Sequence, residues 1–271
     1  MTATAELKEP LVEVTPQQQQ PAAQREKTES QLSPPRTVSL KDVLKPKKIQ
    51  NPIVPDEEPI PGLFMFYNFI SPDEEQTLLK FLDHEGRWRF SKFNGNNIGK
   101  RWGVHCNLRD RRVDAPEIPL PEVLKDLIFP KLARIAQMKG CIPNEANSID
   151  YRRKQGHWLH PHVDDRKLSK EPIANLSLAG DCTMTFRNVG KHRNLAASEY
   201  RNHLPRRCLQ ILTGAARYDF SHGISHADLA SDRRVSITMR ESPLTASTKT
   251  ETFHTASSAT PSVQALWKGE K

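Results

Sequence analysis

Arg234-Val235-Ser236-Ile237-Thr238-Met239-Arg240 alternates without a fault: Val235, Ile237 and Met239 are apolar, and Arg234, Ser236, Thr238 and Arg240 are polar. Side chains of a β-strand point to opposite faces in turn, so this run reads as a strand with one apolar and one polar face. The same period holds upstream, after Ile149. Strands are expected at 158–163, 173–178, 182–187, 207–213, 216–222 and 234–240. Nearer the N-terminus the pattern is helical. Gly62-Leu63-Phe64-Met65-Phe66 reads as a strand, and Ser71-Pro72-Asp73-Glu74 then opens a helix. Ser71 is the N-cap, Pro72 the first helical residue, and Glu74 stands three after the serine, which is a capping box. Leu78, Leu79 and Leu82 give that helix its apolar face. A second helix is expected over 121–139, from Leu124, Leu127, Ile128, Leu132, Ile135 and Ala136 at helical spacing. Many short strands behind two helices make a mainly β fold with flanking helices, a double-sheet barrel or jelly roll with a helical layer on one side.

The 271 residues suffice for one sizeable domain with tails. Residues 1–60 contain nine prolines and the run Gln17 to Gln20, but no aromatic residue, glycine or cysteine. Such a segment buries too little apolar surface to offset its ordering entropy, so disorder is expected there. The last 30 residues, 242–271, hold 11 serines and threonines and are expected to form a second disordered tail. The folded domain is expected over 61–241. Cys106, Cys141, Cys182 and Cys208 are scattered without a CxxC, which excludes a zinc ribbon and fits a reducing compartment. There is no apolar run of membrane-spanning length, and Met1-Thr2-Ala3-Thr4-Ala5-Glu6 has no signal-peptide core. A soluble, monomeric, intracellular protein of nucleus or cytoplasm is expected, with no membrane partner. The net charge of +8 suits an acidic partner such as nucleic acid, though a basic tail yields the same total.

Two His-x-Asp pairs occur, His162-Val163-Asp164 and His226-Ala227-Asp228. With 10 histidines in the chain, about half a pair is expected by chance, so context has to choose between them. Residues i and i+2 of a strand point the same way, which lets His162 and Asp164 share one metal. Strand-rich sequence then leads to His222 in Ser221-His222-Gly223-Ile224, and the arginine strand follows. The second pair has only His254 after it. Two imidazoles and a carboxylate hold one face of a non-haem Fe(II) and leave positions open for an organic acid and O2. Guanidinium pairs bidentately with carboxylate. Arg234 and Arg240 share a face but lie roughly 20 Å apart along a strand. They are therefore expected to act separately, one on the distal carboxylate of a 2-oxo acid and the other near the metal carboxylate or the substrate. His160 lies on the His162 strand face as a substrate or ligand-supporting group or a polar filler. His157 is expected to be structural or exposed.

These phrases, with Leu204-Pro205-Arg206-Arg207 and Leu212-Thr213-Gly214-Ala215-Ala216-Arg217, resemble the AlkB-type Fe(II)/2-oxoglutarate dioxygenases from Gly62 to about Glu241. Ile149-Asp150-Tyr151 and His160-Pro161-His162-Val163-Asp164-Asp165 are most like the homologue-four branch. The resemblance implies a double-stranded β-helix core, His162, Asp164 and His222 as iron ligands, and Fe(II), 2-oxoglutarate and O2 as cofactor and cosubstrates. It implies that Arg234 binds the 2-oxoglutarate distal carboxylate, that Arg240 sits near the metal aspartate, and that Tyr151 binds cosubstrate. Two departures bear on Tyr151: Ile149 stands where many members have asparagine, and the stretch from Tyr151 to His162 is longer than the common pattern.

Residues 86–112 hold eight arginines and lysines against one acid, Asp110, with Trp88, Phe90, Phe93 and Trp102 between them. Asn94-Gly95-Asn96-Asn97 supplies a turn. In the resembling family this is the place of the substrate-recognition lid. Its cations and aromatics can hold phosphates and stack an exposed base, cage a methylammonium, or complete the core beneath basic side chains. Trp88, Arg101, Trp102 and His160 are the candidate substrate contacts. The resemblance implies oxidative N-demethylation of a methylated macromolecule, either a nucleic-acid base or protein methyl-lysine. The competing reading is a non-catalytic nucleic-acid- or protein-binding module on the same barrel.

Overall fold

A computed structural model describes residues 51–91, 94–190 and 198–245. Most of the expected disordered tails, and Phe93 of the expected lid, lie outside them. The helix opened by Ser71, α1 (Pro72–His84), carries its capping box in full: Ser71 Oγ accepts the Glu74 N–H at 3.1 Å, and Glu74 Oε2 accepts the Ser71 N–H at 2.7 Å. The helix expected over 121–139 is broken into α2 (Glu122–Leu127), α3 (Phe129–Leu132) and a 3-10 turn at Ala136–Met138. Pro130 is the reason: it has no N–H to offer and fits only the first turn of a new helix.

The strands are β1 (Glu57–Ile60), β2 (Leu63–Phe66), β3 (Arg89–Ser91), β4 (Gly95–Asn107), β5 (Arg112–Ile118), β6 (Glu145–Arg152), β7 (Trp158–His162), β8 (Ile173–Leu178), β9 (Cys182–Asn188), β10 (Glu199–Leu204), β11 (Leu209–Leu212), β12 (Phe220–Ile224) and β13 (Arg233–Arg240). One run is ordered β1-β2-β11-β8-β13-β6-β4. The long strand β4 pairs antiparallel with β6 and, at its start, with β7, which leads into the second run β7-β12-β9-β10. This is a two-sheet barrel of the jelly-roll type. The apolar face of β13 (Val235, Ile237, Met239) packs on the helical layer with Leu78, Leu82, Leu124 and Ile128. The other core lies inside the barrel, around Tyr151, Leu159, Met184, Phe186, Phe220 and Ile224.

Three boundaries differ from expectation. Order extends back into the segment expected to be disordered: β1 pairs with β2, and Ile53 bridges to Ile135. At the other end, Ser242 is fully buried and Val113 and Thr245 exchange hydrogen bonds, so the fold runs past 241. Residues expected to start the 216–222 strand instead form a short helix, α4 (Gly214–Tyr218), before β12 begins. Thr213 and Gly214 turn the chain there, and the Arg217 N–H bonds back to the Thr213 carbonyl at 3.1 Å.

Candidate metal centre

β7 and β12 lie side by side with His162 and His222 as direct cross-strand partners, and their ring centroids are 4.6 Å apart. Gly223 permits this approach: a Cβ there would meet the Pro161 backbone nitrogen at 2.8 Å. His162 Nδ1–H donates to the His160 carbonyl at 2.7 Å, which leaves Nε2 free for a metal. His222 Nε2 stands 3.7 Å from Asp164 Oδ2. One ligand atom from each of the three residues lies within 4.8 Å of the others, and among the described residues no other group of histidine, cysteine and acidic side chains is so arranged.

Asp164 is not held by strand alternation, because β7 ends at His162. Two arginines place it instead. Arg217 of α4, 1% exposed, donates to the Asp164 carbonyl at 2.8 Å and to the Asp165 carbonyl at 2.9 Å. Arg240 Nη1 donates to Asp164 Oδ1 at 3.0 Å. Burial alone would raise the Asp164 pKa, but Arg240, then His222, His162 and Arg217, hold it well below the usual carboxylate range. Burial pushes the His222 imidazole down to about 4 against the opposing pull of Asp164, so the ring is neutral near pH 7. An ionised carboxylate and neutral imidazoles are the protonation states a metal needs.

Arg234 lies at the start of β13, the opposite end from Arg240, 1% exposed, with its guanidinium carbon 5.2 Å from the centre of the Tyr151 ring. Tyr151 is its cross-strand partner on β6. Nη2 donates to Ser177 Oγ at 2.8 Å, and Nε has no hydrogen-bond partner. Among the described residues no carboxylate forms an ion pair with it. A buried guanidinium without a counter-ion is costly unless an anionic ligand completes it. Tyr151 is likewise buried, and its phenol pKa is raised by that burial, with Arg234 opposing. The two arginines of β13 therefore do different work, Arg240 on the metal aspartate and Arg234 in the barrel interior. The donor set fits Fe(II), and the unpaired Arg234 fits a dicarboxylate.

The expected substrate residues divide. Arg101 is exposed on the β13 polar-face side of the sheet: it pairs in register with Asn147, which pairs with Thr238. Its Nη1 is 2.6 Å from His105 Nε2. His160 is exposed, with its ring 5.7 Å from that of Trp158. Trp102 is corrected: it is 5% exposed and packs on Phe81 in the helix-side core, because alternation along β4 sends it away from Arg101. Trp88 is half-buried, packed against the edge of that same core beneath Lys100 Nζ at 4.5 Å. His157 is buried and accepts the Arg152 N–H, a structural contact. Arg217 and Glu145 were not singled out from sequence. Arg217 stands within a family-like phrase, but nothing in that phrase shows that its guanidinium is buried. Glu145 carries no signal at all.

A two-sheet barrel with two histidines and an aspartate gathered at adjacent strands, and a buried arginine elsewhere in the same barrel, defines a class, the oxygenases that use Fe(II), 2-oxoglutarate and O2. The chain belongs to the 2OG-Fe(II) oxygenase superfamily, whose family model matches residues 62–240. Its relatives are AlkB homologues. It is 24% identical over 212 residues to the human alpha-ketoglutarate-dependent dioxygenase alkB homolog 4, covering 68% of this chain and 68% of that protein. It is 29% identical over 180 residues to the Xenopus tropicalis tRNA (carboxymethyluridine(34)-5-O)-methyltransferase alkbh8, covering 66% of this chain but 27% of that protein. A Caenorhabditis elegans DNA N6-methyl adenine demethylase is 26% identical over 188 residues, covering 67% of this chain and 60% of that protein. The chain thus carries a 2OG-Fe(II) oxygenase domain similar to those of AlkB homologues, and it spans about a quarter of the length of the Xenopus relative. Among the described residues no helix is long and apolar enough to cross a membrane.

Proposed function

We propose that this dioxygenase removes N-linked methyl groups from a methylated macromolecule, with His162, Asp164 and His222 holding the iron and Arg234, with Tyr151 beside it, holding 2-oxoglutarate. The observation that carries the cosubstrate half is the guanidinium of Arg234, buried beside Tyr151 in the barrel core and without an ion pair among the described residues. Iron, when bound, would supply the redox chemistry by which O2 gives one oxygen atom to 2-oxoglutarate, releasing succinate and CO2, and the other to an N-methyl carbon, whose hydroxymethyl group then leaves as formaldehyde. The chain's own residues bind and orient. Arg217 and Arg240 fix the backbone and one oxygen of Asp164, leaving Oδ2 on the His222 side. Phe186, paired with His222 across the sheet, keeps water from the inner side of the centre.

The substrate side favours a polyanion. β4 and β5 form a hairpin beside the metal loop: Arg111 pairs with Asp165 at 2.8 Å, and Cys106 Sγ lies 3.6 Å from the Leu168 carbonyl. Arg87, Arg89, Arg101, Arg109 and Arg112 are exposed on or near it, with Phe90 56% exposed on β3. Cations with an exposed aromatic suit a single nucleic-acid strand or a flipped base, and the nematode relative is named for adenine demethylation in DNA. Methylated nucleic acid is therefore the first substrate, methyl-lysine in protein the second, in nucleus or cytoplasm, with a single chain as the working unit.

The test is succinate and formaldehyde release from iron-loaded protein with methylated DNA, methylated RNA and methyl-lysine peptides. Wild type is expected to release both with a nucleic acid, and His162→Ala neither. No release above His162→Ala on any of the three substrates rejects the demethylase reading and leaves a binding module.

A further inference from the structure

Glu145 is a buried acid that the proposed chemistry does not use. It begins β6, is 3% exposed, and faces Arg240 in register across β13. Its carboxylate is fully engaged. Oε1 accepts from Asn147 Nδ2 at 2.7 Å; Oε2 accepts from Ser242 Oγ at 2.8 Å and from the Cys106 thiol at 3.2 Å. Arg240 Nε lies 3.1 Å from Oε2 as an ion pair without hydrogen-bond geometry, while Nη1 of the same guanidinium donates to Asp164 Oδ1 at 3.0 Å. Burial, then the Glu145 charge, push the Cys106 thiol up to about 11, so it remains a donor to the carboxylate.

We infer that Glu145 is a positioning residue for metal binding, acting through Arg240 on Asp164. Two effects follow from the geometry. The first is orientation: the ion pair with Glu145 draws the Nε side of Arg240 to one carboxylate and leaves Nη1 to the other, so Asp164 is held by Oδ1 and turns Oδ2 towards the histidines. The second is charge. An Arg240–Asp164 pair alone would be neutral and a poor donor to a cation. Glu145 offsets one of the two positive charges, Arg240 and Arg217, that lie against Asp164, so Asp164 keeps more of its attraction for a divalent metal. Groups that orient metal ligands from behind typically contribute about 10- to 100-fold in metal affinity. Ser242 and Asn147 fasten Glu145 in turn, which links the metal to the segment just past β13.

The inference rests on the three-ligand reading of the centre, and the experiment separates the two. Mn(II) binding to the full chain is measured by loss of the free-ion electron paramagnetic resonance signal, without turnover. Wild type is expected to bind one Mn(II) and His162→Ala to bind it far more weakly; equal binding by these two rejects the site and the inference together. Given that contrast, Glu145→Gln is expected to raise the Mn(II) Kd about 10- to 100-fold, and Glu145→Asp, which keeps the charge, to recover part of the loss. A purely structural Glu145 predicts that both variants lose melting temperature alike while Mn(II) affinity holds. An unchanged Kd in a folded Glu145→Gln protein overturns the inference alone. Should Glu145→Gln fail to fold, Ser242→Ala loosens the same carboxylate: a Kd raised about threefold or more supports the role, and an unchanged one removes it.

Discussion

Arg234 brings a charge into the barrel core, and its hydrogen-bond partners there are neutral: Ser177 Oγ at 2.8 Å, Asn175 Oδ1 at 3.4 Å and the Tyr151 phenol. That imbalance makes a sharp prediction. Arg234→Ala should weaken 2-oxoglutarate binding by about 2–4 kcal/mol, roughly 30- to 700-fold, the scale for truncating one partner of a buried charged pair. Metal affinity should barely change, because Arg234 makes no contact with His162, Asp164 or His222. Calorimetric titration of 2-oxoglutarate into the Mn(II) form checks this, and an unaltered Kd would place the clamp elsewhere. Arg234 was legible from sequence because the alternation of β13 is unbroken and both arginines fall on its polar face. Trp102 was not. Its strand, Gly95–Asn107, is so rich in glycine, asparagine and charge that no apolar period shows which side chains turn inward. The aromatics expected on the lid therefore turned out to belong partly to the core.

At the scale of the element, α1 was readable to the residue because its start is a local signal. Ser71, Pro72 and Glu74 specify a helix N-terminus within four positions, and Lys131 from α3 adds an ion pair to Glu74 at 2.7 Å. Burial would raise the Glu74 pKa, but Lys131 and the Ser71 N–H outweigh it and lower it below the ordinary 4.5. A carboxylate lowered on folding adds stability that is fully present above the unfolded value and lost as pH falls through the folded one. A glutamine carbonyl can still accept the Ser71 N–H, so Glu74→Gln should keep the capping box and cost about 0.5 kcal/mol at pH 7, the scale of the lost Lys131 ion pair. That cost should shrink as the pH drops below 4.5, the ordinary value. Urea melts of both proteins at pH 7 and pH 3.5 decide it; a cost that grows in acid would contradict the assignment. β6 and β10 were illegible for the opposite reason. Glu145–Arg152 buries Glu145, Ser148 and Asp150 where a strand usually buries apolar residues, and Glu199–Leu204 is an edge strand of mostly polar residues. Their stability comes from partners distant in sequence, which periodicity cannot report.

Across the whole molecule, the centre draws on elements spread over most of the folded chain: His162 from β7, Asp164 from the loop after it, Arg217 from α4, His222 from β12, and Arg234 and Arg240 from β13. Sequence order placed all six among family-like phrases, yet only the pairing of β7 with β12 and of β6 with β13 brings them together. Ligands that bind such a set should therefore stabilise the fold as a unit. A ligand at 100 times its Kd adds about 2.7 kcal/mol, and for a domain of this size each kcal/mol moves the melting temperature by roughly 2–4 °C. Mn(II) and 2-oxoglutarate should each raise the melting temperature by about 5–10 °C when saturating, and the variants should dissect the two increments. Arg234→Ala should keep the metal increment and lose most of the 2-oxoglutarate increment. His162→Ala should lose the metal increment, and with it whatever part of the 2-oxoglutarate increment depends on chelation. Scanning calorimetry of the three proteins with each ligand alone and with both provides the measurement. If His162→Ala melts later with Mn(II) by as much as wild type does, the metal is binding somewhere other than beside His222, and the centre assigned to these strands is not the one that holds it.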